Sequence, residues 1–217
     1  HNPVAGMVAP DRFSPIAEEI GLIVPLTEVI LKKAFAAAAG WVRVHGQAIQ
    51  VAVNLSPKLF LGEELVGRVA ALMREAGLPS ERVELEITES VFLGDSERAV
   101  RILSELKALG VRLAMDDFGT GYSALSYLRR FPLDTIKIDR SLVTGIEHEE
   151  EVAMIARAVI SLGQNLRKTV VAEGVENQAQ FDFLRSQGCD EFQGYLIMRP
   201  LPAAEFVSLL AATGGQL

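Results

Sequence analysis

Six polar residues stand at or near the ends of apolar runs. Asn54, Glu86, Asp116, Lys137, Glu173 and Gln193 follow one another at intervals of 32, 30, 21, 36 and 20 residues. Two amides, three carboxylates and an ammonium brought together could hold a hard cation and carry phosphoryl chemistry. Oxygen donors of this kind suit Mg²⁺ or Mn²⁺ rather than zinc. The three histidines, at 1, 45 and 148, form no cluster with metal-ligand spacing. The densest local signal is Asp116-Asp117-Phe118-Gly119-Thr120-Gly121-Tyr122-Ser123. Adjacent carboxylates can serve two cations at the separation used for in-line phosphoryl displacement. The glycines behind them allow a loop with unusual dihedrals. Read alone, the same segment also fits a polar turn. Lys137 with Glu86 or Asp116 also fits a buried salt-bridge network.

Strand–helix alternation must position these groups. Strands are predicted at Ile49–Asn54, Arg82–Ile87, Val111–Asp116, Asp134–Asp139 and Thr169–Glu173, with a weaker one near Glu191–Leu196. Their centres are apolar and often β-branched, as in a sheet covered on both faces. Amphipathic helices are predicted at Leu26–Val44, Glu63–Ala76, Ser96–Leu109 and Glu149–Leu166. Gly77, Gly110 and Gly188 fall where helices should end. This alternation means a parallel α/β fold, either a (β/α)₈ barrel or a doubly wound sheet. In a barrel every strand end converges on one mouth. In an open sheet only those near one crevice meet. Six successive strands each donating a polar group favour the barrel. With a period of two, Glu84 and Glu86 share one strand face, and Lys137 lies opposite Ile136 and Ile138.

Composition narrows the partners. The 217 residues fit a single domain, and 49% are hydrophobic, enough for a sizeable core. The formal charge is −7, so the chain is ill suited to wrapping a polynucleotide. The single Cys189 suits a reducing compartment. No apolar run is long enough to span a bilayer. The chain does not start with Met, and its opening segment His1–Pro10 reads as a loop entered midway.

Several motifs in fixed order resemble one family. Val-Asn54-Leu-Ser, Glu-Leu-Glu86-Ile-Thr-Glu89-Ser, the Asp116–Ser123 segment and Ile-Lys137-Ile-Asp-Arg are joined by Val-Ala-Glu173-Gly-Val-Glu176 and Gln193-Gly-Tyr. Together with Arg199-Pro200-Leu201-Pro202 they are similar to the EAL-domain family of cyclic di-GMP phosphodiesterases. The resemblance runs from Pro3-Val4-Ala5-Gly6 to Leu210. It implies a modified (β/α)₈ TIM-type barrel forming one domain over residues 1–217. It implies hydrolysis of one phosphodiester bond of cyclic di-GMP to linear pGpG, with two cations, Mg²⁺ or Mn²⁺. Asn54, Glu86 and Asp116 would hold the first metal, and Asp116 and Asp117 the second. Glu173 would lie beside the attacking water and Lys137 would orient it. Glu176 and Gln193 would lie on the second-metal and substrate side. Glu89 would anchor the glycine loop after Asp117, which the family links to dimer contacts, so a homodimer is expected. The resemblance also implies a bacterial, cytoplasmic domain beneath an upstream sensory or GGDEF-type domain, or a membrane anchor.

One departure stands out. The family's Glu-Ala-Leu tripeptide, with its metal-binding Glu and nearby Arg, does not occur here. The chain therefore reads as an EAL-type domain without its first two strands. A competing reading is a non-catalytic cyclic di-GMP receptor. An enolase-type barrel also aligns carboxylates and lysine on strand ends, but it offers no role for the Asp116–Ser123 loop.

Overall fold

The alternation of β-rich and amphipathic stretches produces six parallel strands with helices between them. The structure, a computed structural model, describes residues 8, 10–41, 48–89, 91, 96–119, 128 and 130–212. The strands are β1 (Val51–Asn54), β2 (Val83–Thr88), β3 (Arg112–Phe118), β4 (Thr135–Ile138), β5 (Thr169–Glu173) and β6 (Glu191–Gln193). They lie side by side in sequence order. Among the described residues the helices are α1 (Pro10–Glu19), α2 (Ile23–Ala39), α3 (Pro57–Phe60), α4 (Leu65–Ala76), α5 (Ser96–Ala108), α6 (Glu150–Asn165), α7 (Gln178–Ser186) and α8 (Ala203–Ala212).

Each predicted strand is present within a few residues of its expected limits. Gly77, Gly110 and Gly188 follow α4, α5 and α7 as expected. The predicted helix from Leu26 instead starts at Ile23 and stops at Ala39. Helix α7 is the helix that Gly188 is expected to end, while α1, α3 and α8 are not among the predicted helices. A capping box marks α7: the Asn177 side chain accepts from Gln180 N–H, and the Gln180 side chain accepts from Asn177 N–H. That Asn-x-x-Gln pattern is the local signal that could have located it.

The sheet is curled into a half-barrel. Strands two apart in a flat sheet are separated by roughly 9.5 Å, twice the neighbour spacing. On the concave face, however, the Thr135 hydroxyl of β4 donates to Glu84 Oε2 of β2 at 2.7 Å. Arg112 of β3 likewise reaches Thr169 Oγ1 of β5 at 3.4 Å. Outward residues are apolar and fully enclosed: Leu85, Ile87, Leu113, Met115, Ile136, Ile138 and Val170 pack in one core with Leu103 and Leu106 of α5 and Ala156 and Ile160 of α6. The apolar outer face is what leaves the inner face free for polar side chains.

Those inner side chains form two layers. At the strand starts, Arg112 Nε lies 3.1 Å from Glu84 Oε2, and its Nη2 donates to Thr135 Oγ1 at 3.1 Å. Burial, then the charge of Glu84, pushes the Glu191 carboxyl on β6 above its usual range. This lower layer is structural. Breaking a buried pair by removing one partner strands the other charge. Arg112→Ala should therefore cost about 2 kcal/mol, below the fully buried case because the arginine is part-exposed. Urea unfolding of Arg112→Ala against the parent checks this, and an unchanged midpoint would refute it.

Candidate active site

The upper layer holds the residues singled out in the sequence. Parallel register places Asn54 beside Glu86 on β1 and β2, and Glu173 beside Gln193 on β5 and β6. Asn54 Nδ2 donates to Glu86 Oε2 at 2.9 Å. At the centre is Lys137 of β4, almost wholly buried. Its Nζ lies 2.6 Å from Glu86 Oε1, 2.5 Å from Glu173 Oε1 and 3.3 Å from Asp116 Oδ1. The residues of this salt-bridge network are the same ones that the sequence singles out as candidates for chemistry.

Asp116 and Asp117 are neighbours in sequence, so a regular strand would aim them at opposite faces. Two local features change this. The β3–β4 register shifts between Met115 and Phe118. Asp117 adopts φ 56°, in the left-handed region that non-glycine residues seldom occupy. As a result, carboxylate oxygens of Asp116, Asp117 and Glu173 all lie within 4.8 Å of one another.

Electrostatics show an excess of negative charge. Burial pushes the carboxyls of Glu86 and Glu173 above their usual range, and Lys137 offsets this only in part. Burial, then the adjacent Asp116, does the same to Asp117. For Lys137, burial favours the neutral amine, but Glu86, Asp116 and Glu173 outweigh it and raise its pKa above that of ordinary lysine. Four carboxylates thus face one ammonium. Asp116 Oδ1 is buried, accepts no hydrogen bond among the described residues, and has the 3.3 Å ion-pair contact with Lys137 Nζ. A buried carboxylate oxygen that accepts no hydrogen bond, within an all-oxygen donor set, fits a hard divalent cation.

The remaining expected residues are placed as follows. Glu176 stands at the mouth beyond β5, and its Oε1 lies 2.8 Å from Arg140 Nη2. Its backbone N–H donates to Gln180 Oε1 at 2.8 Å. Asn54 and Gln193 are exposed, while Glu89 is buried one residue past β2. The glycine-rich loop that Glu89 is expected to anchor lies from residue 120 onward outside the described residues, as does the Pro3–Gly6 motif. The sequence reading gave no role to Arg140, although the residue belongs to the Ile-Lys-Ile-Asp-Arg motif. It also gave none to the Glu84–Arg112 pair, visible only in the alternation of β2.

A half-barrel of (β/α)₈ type with an acidic, cation-fitting cluster at its strand ends belongs to the class of α/β barrel domains with oxygen-lined metal sites. More narrowly, the chain belongs to the EAL domain family, whose model matches residues 1–200. It is 40% identical over 211 residues to the bifunctional diguanylate cyclase/cyclic di-GMP phosphodiesterase MucR of Pseudomonas aeruginosa, covering 97% of this chain and 31% of that protein. It is also 40% identical to the cyclic di-GMP phosphodiesterase NbdA of the same organism, covering 97% of this chain and 27% of that one. The chain therefore spans less than a third of these relatives' length. The solved PaMucR phosphodiesterase in complex with c-di-GMP superposes with a TM-score of 0.89 at 38% identity, covering 94% of this chain and 83% of that one. Among the described residues, no helix is long and apolar enough to cross a membrane.

Two outcomes are expected from this geometry. Lys137→Met leaves four carboxylates without their counter-charge, so the metal-free protein should lose about 3 kcal/mol. Mn²⁺ should recover more stability in this variant than in the parent, and thermal unfolding with and without Mn²⁺ reads both effects. The second concerns pH. Glu86, Asp117 and Glu173 keep their protons to higher pH folded than unfolded, so the stability that protonation contributes is lost as the pH rises through their folded pKa values. A cation needs the same carboxylates ionised. The Mn²⁺-induced rise in Tm should therefore grow from about pH 5 to about pH 8. A rise independent of pH would show that these carboxylates do not hold the ion.

Proposed function

We propose that this domain hydrolyses one phosphodiester bond of cyclic di-GMP, releasing linear pGpG, with Mg²⁺ or Mn²⁺ as cofactor. The observation that carries this reading is the convergence of Asp116, Asp117 and Glu173 around one point beside buried Lys137. Family membership and the phosphodiesterase activity of its relatives support it.

Asn54, Glu86 and Asp116 would hold one cation, and Asp116 and Asp117 a second. When bound, such cations supply an activated water and stabilise charge on the attacking and leaving oxygens. The protein's own groups do the rest. Glu173, whose carboxyl is pushed upward by burial, is suited to take the proton from the attacking water. The Lys137 ammonium lies against Glu173 and Glu86 and would orient that water. The water oxygen bonds to phosphorus, one phosphorus–oxygen ester bond breaks, and the departing sugar oxygen takes a proton. Glu176 and Gln193 would lie on the substrate side, and Glu89 would anchor the loop beyond Asp117.

Asp116→Asn removes charge shared by both cations. It should lower turnover at least 100-fold, in keeping with the cost of misplacing a reacting group by about 1 Å. Chromatography of products from cyclic di-GMP, with Mg²⁺ and with excess chelator, tests the reading. Turnover that survives chelation would overturn metal dependence. Tight binding without turnover would make the domain a receptor instead.

A further inference from the structure

The turn after β4 is wedged between the ends of its two neighbours. Residues Arg140–Leu142 form a 3₁₀ turn, capped by Asp139, whose side chain accepts from Ser141 N–H at 2.9 Å. On one side Leu142 packs over Gly119, where a Cβ would fall 2.4 Å from its Cδ1. On the other, the Arg140 stem lies over Gly174, where a Cβ would fall 2.3 Å from its Cγ. Both glycines have positive φ, 102° and 70°, which side-chain-bearing residues rarely adopt. The bare backbone at Gly174 is what lets the arginine stem cross the end of β5. From there its guanidinium meets the Glu176 carboxylate at 2.8 Å, with both side chains open to solvent at the mouth, 61% and 43% exposed.

We propose that Arg140 is a positioning residue that fixes the Glu176 carboxylate at the mouth for substrate binding. This rests on the reading of the site as one for cyclic di-GMP. The physical reason is conformational. A glutamate at a strand end has three side-chain torsions, and an arginine clamped along its stem removes much of that freedom before substrate arrives. The pair lies outside the Lys137 cluster, so its loss should spare the cation site.

The test measures calorimetric affinity for cyclic di-GMP in Ca²⁺, Mn²⁺ affinity, and kinetics in Mg²⁺. Arg140→Ala should weaken cyclic di-GMP binding about fivefold, the upper range for an exposed ion pair. The loss should appear in KM rather than kcat, and Mn²⁺ affinity should match the parent's. Arg140→Lys should recover part of the affinity, since the charge returns without the fork. Glu176→Gln should weaken binding to a similar degree, and adding Arg140→Ala to it should change nothing further. Parent-like affinity in Arg140→Ala would overturn the proposal. So would additive losses in the double variant, or a joint fall of kcat and Mn²⁺ affinity, which would mark a purely structural role. A parent protein that does not bind cyclic di-GMP would instead overturn the reading of the site, and the proposal with it.

Discussion

The rest of the site is organised around one buried ammonium. Lys137 sits inside the curled sheet with Glu86, Asp116 and Glu173 around it. Ionised carboxylates cannot be gathered in a low-dielectric interior without compensation. One lysine covers only part of that charge, since Asp117 joins the same cluster. The deficit follows from the residue types and would be the physical basis for the proposed cation binding. The lysine keeps the carboxylates tolerable, and their excess charge gives a divalent ion a reason to enter.

The curled sheet serves this electrostatic arrangement by separating two kinds of contact. Helices take the apolar outer face, and their packing holds the strands in register. Parallel register then sets Asn54 against Glu86 and Glu173 against Gln193. The inner face carries one polar layer at the strand starts, built on Arg112 and Glu84, and another at the strand ends. Of the two layers, the upper one has a buried carboxylate oxygen without a hydrogen-bond partner among the described residues, on Asp116. The lower layer satisfies Glu84 through both Arg112 and Thr135, which makes it a support rather than a site.

Local backbone strain sits where the chemistry needs it. The left-handed Asp117 lets two successive carboxylates face one point. Gly119 and Gly174, both at strand ends, seat the turn that carries Leu142 and Arg140. Three consecutive strand ends are thereby interlocked at the mouth. This packing holds the backbone of the strand ends, the kind of preorganisation an active site requires.

Much of this was legible in the residues themselves. Spaced polar groups behind apolar runs located the strand ends, and alternation of two placed Glu84 and Glu86 inside together. The all-oxygen donor set indicated a hard cation, because ligand chemistry follows from residue type. Motif order identified the family. Other features were out of reach because they depend on pairs distant in sequence or on backbone torsions. A period of two would have sent Asp117 away from Asp116, and only the register shift and its positive φ reverse that. Arg140 and Glu176 are 36 positions apart and meet because β4 and β5 are neighbours and Gly174 leaves room. Gly188 marks where helix α7 ends, but its start is set by the Asn177–Gln180 capping box, which an apolar stripe does not reveal. Sequence thus determined which chemistry is possible, through residue types and their periodicity. Tertiary structure decided which of those residues share a charge, because burial and distance arise only when the sheet curls.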